Sequence, residues 1–149
     1  MGMREKAESG DAFLGFDPPY GYRYQKGHLR IDPDEVEVVR EIYHLYLSGN
    51  TMEAIARRLN DHGSSTRRGN YWTVWSIRRI LHNPVYAGYL RWDGIITKGD
   101  HTPVVSVEEF NEVQRIICSR IRNPAHKRCI QLPDRLDRPT IEEELKADA

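Results

Sequence analysis

The chain has 149 residues, enough for one domain with a real core plus tails, and it carries 22 basic against 22 acidic residues. Overall neutrality excludes a chain-wide attraction for polyanions, and no apolar run is long enough for a membrane span or a signal-peptide core. Cys118 and Cys129 form no CxxC pair, so neither a zinc site nor a disulfide framework is expected; they read as free thiols in a reducing cytoplasm.

Residues 3–9 are a short run of helix formers ended by Gly10, too short to stand alone, and read as the end of a longer upstream helix. Residues 11–18 are linker-like, with Gly15 and Pro18-Pro19 breaking regular structure. From Pro19 to Tyr24 the pattern is a turn leading into a small strand, its tyrosines packed on the domain edge. Arg23 and Lys26 in such an extended segment can also follow a phosphate backbone. Gly27-His28 reads as a turn, and Leu29, Arg30 and Ile31 as a strand.

The clearest helix follows. Asp32 is a good N-cap, Pro33 suits the first helical position, and Glu35 completes a capping-box-like pattern with Asp32. Val36, Val39, Tyr43, Tyr46 and Leu47 make its buried stripe, and Gly49 is a left-handed stop. Thr51 caps the next helix, whose apolar face is Met52, Ile55, Ala56 and Leu59 and which ends at Gly63. A polar loop runs from Gly63 to Trp72 and carries Arg67 and Arg68.

The stretch 73–82 is a short two-faced helix. Val74, Ile77, Ile80 and Leu81 fall on an apolar side, whereas Trp75, Arg78, Arg79 and His82 recur at i, i+3, i+4 and i+7 on another. Thr73 caps its start, and Asn83-Pro84 stops it, because a residue before proline is pushed out of the α region. Residues 86–92 read as a strand, Asp93-Gly94 as a two-residue hairpin turn, and residues 95–97 as the return strand. Ser106 with Glu109 forms a capping box for a last helix running to about Arg122, with Phe110, Val113, Ile117 and Ile121 inward. From Asn123 the periodicity fails, and Pro124, Pro133 and Pro139 in a mixed-charge tail predict a mostly disordered end.

Charge is distributed unevenly along this plan. Between Thr51 and Trp92 stand Arg57, Arg58, Arg67, Arg68, Arg78, Arg79 and Arg91 against Glu53 and Asp61, and every base there is arginine, the side chain suited to forked contact with phosphate and guanine. A local basic patch on a helix pair points to duplex DNA more than the overall balance does. The predicted fold class is mainly α with a small β-hairpin (α+β), a helical DNA-binding domain containing a helix-turn-helix-like pair with an extended turn.

Several fragments occur together in order: Pro19-Tyr20-Gly21-Tyr22, Asp32-Pro33, Tyr46 to Gly49, Ile55-Ala56 with Leu59-Asn60, Gly63, Gly69 with Trp72, and Ile80 through Gly88. As an ordered set they resemble the recombinase domain of large serine recombinases, the phage integrases and transposon resolvases that cut and rejoin DNA through a phosphoserine link. The resemblance covers residues 4–122. It implies an upstream linker over residues 1–18, a DNA-binding domain over 19–122 and a tail over 123–149. It further implies attachment-site binding in the major groove, with the linker along the adjacent minor groove and an upstream catalytic domain as partner in the full-length protein. The catalytic serine and the zinc-ribbon cysteines of that family have no counterpart here, so DNA binding without cleavage is expected, with no cofactor.

Arg78 and Arg79 point about 100° apart on a helix, so one can reach a guanine edge while the other holds phosphate; the alternative is two solvated surface arginines. Ser76 either donates to phosphate or base, or satisfies the helix start. Trp75 either packs on the hairpin or lies against the DNA backbone, and Trp72 belongs to the core. Arg57, Arg58, Arg67 and Arg68 are expected as phosphate contacts, with His82 and Arg23 as further contacts. His62, His82 and His101 lack metal-ligand spacing. Two other readings stay open: a helix-turn-helix transcription regulator unrelated to recombination, and a protein-interaction module using the aromatic surface.

Overall fold

The computed structural model describes residues 18–122, 131–133, 136 and 138–148. The readings of residues 3–9 and 11–17, and of Cys129, lie outside these. Two antiparallel hairpins flank a helical centre. The first pairs β1 (Tyr22–Gln25) with β2 (His28–Ile31), and the second pairs β3 (Tyr89–Trp92) with β4 (Ile95–Lys98). Between them run α1 (Pro33–Leu47), α2 (Met52–Asp61) and α3 (Val74–His82); α4 (Val107–Ser119) and α5 (Ile141–Asp148) follow the second hairpin.

Local chemistry accounts for most boundaries. Asp32 accepts from the backbone N–H groups of Asp34 and Glu35 at 3.1 and 3.2 Å, satisfying two of the orphan donors at the start of α1. Thr51 caps α2 by accepting from Ala54 N–H at 3.1 Å, and Ser106 with Glu109 closes the expected capping box on α4. Gly49 and Gly63 adopt positive φ at the ends of α1 and α2. Asp93 and Gly94 have φ of 51° and 79°, the left-handed pair that closes a two-residue hairpin in register Trp92↔Ile95.

α1 is the central beam. Val36, Val39, Ile42, Tyr43 and Tyr46 are fully buried, and α2, α3 and α4 all pack on it. Buried tyrosines act as both filler and fastener. Tyr43 donates to the Ile80 carbonyl at 2.9 Å, Tyr22 to the Thr102 carbonyl at 2.6 Å, and Tyr86 to the Tyr20 carbonyl at 2.5 Å. Burial drives the Tyr22, Tyr43 and Tyr86 hydroxyls well above their ordinary range, so they stay protonated donors.

Several sequence expectations need correcting. The first hairpin turns at Lys26-Gly27, with φ of 51° and 78°, not at Gly27-His28; the alternation of Tyr22, Tyr24, Leu29 and Ile31 toward the core fixes that register. Glu35 forms no capping box with Asp32. The Asp32 N–H is taken by the Gly21 carbonyl at 2.9 Å, and Glu35 turns instead to the Gly21 N–H at 2.9 Å. The strand expected over residues 86–92 starts only at Tyr89, because Pro84–Ala87 is a 3-10 turn: the Asn83 side chain accepts from Val85 N–H at 3.0 Å and Gly88 ends the turn at φ 92°.

The helix expected to be the last, α4, stops at Ser119, short of Ile121, and a further helix, α5, follows it over Ile141–Asp148. The residues described after 122 make ordered contacts with the domain, where a mostly disordered end is expected from the sequence. Leu132 and Leu136 are buried, Asn111 exchanges two hydrogen bonds with the Leu132 backbone at 2.8 and 3.0 Å, and Arg138 donates to the carbonyls of His101 and Gly99. Cys118 is disulfide-bonded, not the free thiol expected.

Candidate nucleic-acid interface

The α2–α3 pair is held by contacts that fix both the position and the rotation of α3. At its start Thr73 and Ser76 form a reciprocal capping box. The Thr73 hydroxyl accepts from Ser76 N–H at 3.3 Å and the Ser76 hydroxyl accepts from Thr73 N–H at 2.8 Å. Ser76 also donates to the Thr73 carbonyl at 2.9 Å, so of its two expected roles it fills the helix-start one. At the other end the Ile80 carbonyl receives the Tyr43 hydroxyl, and the Leu81 carbonyl receives Gln114 Nε2 at 2.7 Å. Gln114, buried on α4, was not singled out by its sequence context.

With Ile77, Ile80 and Leu81 buried, rotation about the helix axis leaves Trp75, Arg78 and Arg79 facing out. Trp75 is 70% exposed; it does not pack into the hairpin. The Arg78 guanidinium lies 5.3 Å from the Trp75 ring centroid, a cation–π pair at i, i+3 that stiffens both side chains. His82 sits half-buried at the same helix end. Burial first, and then the charge of Arg78, lower its pKa below the ordinary 6.5, so it is neutral at neutral pH. Among the described residues, none of Arg57, Arg78 and Arg79 is ion-paired to a carboxylate.

Other candidates are more engaged. Arg58 contacts Glu41 on α1 at 3.2 Å but stays over half exposed. Arg23 donates to Asp32 at 2.6 Å with most of its side chain in solvent; burial would raise the Asp32 pKa, but this hydrogen bond and the two cap amides outweigh it and hold the carboxyl below its ordinary value. The loop between α2 and α3 is a built structure. Asn60 bonds both backbone groups of Trp72, and Trp72, 3% exposed, donates its indole N–H to Ser64 at 3.2 Å. Residues 66–70 form a tight turn, with Thr66 and Asn70 bonded across it and Gly69 at φ 80°.

That turn separates the adjacent arginines. Arg68 is exposed at its tip. Arg67 folds back along the domain surface, a third of its side chain still in solvent, and donates to both Glu35 oxygens and to the carbonyls of Pro18, Pro19 and Tyr22. Arg67 is therefore tied into the domain and not presented as the phosphate contact expected. The sequence reading also passed over Tyr71, 81% exposed immediately before α3; its neighbour Trp72 is buried, and an extended backbone there sends alternate side chains outward.

Among the described residues no group of three or more His, Cys, Asp or Glu side chains could hold a metal ion, and no helix is long and apolar enough to cross a membrane. What the fold defines is a helix-turn-helix type of domain with a lengthened, internally bonded turn, its second helix turning a cationic and aromatic face to solvent. The Recombinase family model matches residues 33–120, and the chain belongs to that family.

Over 72 residues the chain is 33% identical to uncharacterized immunity region protein 5 of Bacillus phage phi105, covering 48% of this chain and 54% of that protein. Two solved structures superpose over 83% of the chain. One, described as a crystal structure of an LSR-DNA complex, gives a TM-score of 0.63 at 28% identity and is itself covered over 38% of its length. The other, from work on sequence requirements of the Listeria innocua prophage attP site, gives 0.62 at 29% identity and 52% coverage. The chain thus spans about half, or less, of the proteins it matches. The resemblance to the recombinase domain of large serine recombinases and the α+β, mainly helical fold class are borne out.

Proposed function

We propose that this chain binds double-stranded DNA sequence-specifically, as the attachment-site-reading middle domain of a serine recombinase acting in the cytoplasm. In this reading α3 enters the major groove. Arg78, held against Trp75, and Arg79 supply the base-edge and phosphate contacts. Arg57, Arg58, Arg68 and Arg23 line the flanking phosphates, and the exposed Tyr71 joins Trp75 against the sugar-phosphate wall. The domain recognises and does not cut: strand cleavage belongs to an upstream catalytic domain of the full-length protein.

One observation carries the reading. The outward face of α3 combines a solvated tryptophan with two guanidinium groups that no carboxylate neutralises among the described residues, on a helix whose rotation is fixed from both ends. A tryptophan ring beside guanidinium groups offers stacking and forked hydrogen bonding from one helix face, the combination that suits a nucleic-acid backbone and base edges. Kinship with a protein solved as an LSR-DNA complex supports DNA as that partner. Selection from a random duplex pool followed by sequencing tests it. Enrichment of a defined half-site is expected, and recovery of no sequence above the starting pool would overturn the proposal.

A further inference from the structure

We infer that Arg67 is a positioning residue for the proposed DNA reading, pinning the chain that enters at Pro18 to the loop that carries α3, and does not itself contact phosphate. The inference rests on the reading of α3 as the DNA-contacting helix.

One guanidinium bridges three pieces of chain. Nε donates to Glu35 Oε2 at 3.0 Å and Nη2 to Glu35 Oε1 at 2.5 Å, a forked pair with the first turn of α1. Nη1 donates to the Pro18 carbonyl at 2.6 Å, and Nη2 reaches the carbonyls of Pro19 and Tyr22 at 3.1 and 2.9 Å. Glu35 closes the ring from its side by accepting from Gly21 N–H at 2.9 Å.

A second link runs parallel to the first. The Tyr20 ring meets Trp72 edge-on at 5.2 Å, and the Arg67 guanidinium lies 5.9 Å from the Tyr20 ring centroid. Segment 18–22 is thereby clamped between α1 and the two ends of the 66–72 loop. Thr73, the N-cap of α3, follows directly after Trp72. Segment 18–22 is thus fixed relative to the helix that would read the groove.

Positioning and phosphate contact predict opposite signs for one substitution. If Glu35 orders the loop through Arg67, Glu35→Gln loosens the loop and weakens binding. If Arg67 serves phosphate, Glu35→Gln removes a competing carboxylate and strengthens binding. The test is quantitative mobility shift on the selected duplex and on random duplex across a salt series, for wild type, Glu35→Gln, Arg67→Lys and Arg67→Ala, with a thermal melt of each.

The expected result is that Glu35→Gln and Arg67→Lys each lose about tenfold on the selected duplex. Random-duplex binding and the salt slope should stay as in wild type. Arg67→Lys keeps the charge, so its loss reports lost fork geometry and covers the case in which Arg67→Ala fails to fold. Tighter binding by Glu35→Gln, a salt slope reduced by about one in Arg67→Ala, or wild-type behaviour of all variants would overturn the inference while leaving the DNA reading intact. Absence of binding by wild type to either duplex overturns the DNA reading and this inference with it.

Discussion

Asn60 holds Trp72 by both backbone groups: its side-chain oxygen accepts from the Trp72 N–H at 2.7 Å and its amide donates to the Trp72 carbonyl at 2.9 Å. This pair of hydrogen bonds across twelve positions of sequence closes the long turn and sets Thr73 where it can cap α3. Asn60→Ala leaves two half-buried backbone groups unpaired and should cost about 2 kcal/mol in chemical denaturation. Asn60→Asp keeps the acceptor but sets a carboxylate oxygen against the Trp72 carbonyl, so it should not restore the loss.

Gly88 is irreplaceable for two separate reasons. Its φ of 92° lies in the left-handed region, and a Cβ built there would stand 2.0 Å from Leu136 Cδ1. Gly88→Ala is expected to destabilise by about 2–4 kcal/mol, combining backbone strain with displacement of Leu136. Truncation after residue 122 should also lower the melting temperature, because Leu132 and Leu136 leave the core. Equal melting of the truncated and full chains would contradict the docking of this segment.

Acid should weaken the fold before carboxylates titrate. His101 is buried, with Nε2 donating to the Val85 carbonyl at 2.7 Å, and burial lowers its pKa below the ordinary 6.5; His82 is lowered in the same direction. Below 6.5 the unfolded chain binds more protons than the folded one. Stability is therefore full above that value and falls as pH drops through it toward the depressed folded values. Denaturation midpoints should drop between about pH 7.5 and about pH 5.5, and the drop should be smaller in His101→Gln.

What the sequence disclosed was whatever local chemistry dictates. The caps at Asp32, Thr51, Thr73 and Ser106, the proline at the start of α1 and the Asp93-Gly94 turn act within four residues, and each stands where expected. The features that escaped depend on partners far along the chain. Nothing beside Arg67 announces that Glu35, 32 positions away, will take its guanidinium, while nearby Arg68 stays outside. Tyr86 and Ala87 look like strand residues until the Asn83 side chain and the burial of the whole 3-10 turn override that preference. Leu132 and Leu136 sit among prolines and charges with no periodicity, and only docking reveals them as core.

The outward rotation of Trp75, Arg78 and Arg79 was readable because Ile77, Ile80 and Leu81 leave one side for water. Whether that side reads bases is settled most directly by competition binding of wild type, Arg78→Ala and Arg79→Ala on the selected half-site against random duplex, at fixed salt. The expected result is a loss of about 1–3 kcal/mol on the half-site for the arginine that reaches a base, with much of its random-duplex affinity kept. Wild-type half-site preference in both variants and in the double variant would contradict the assignment of α3 as the reading helix.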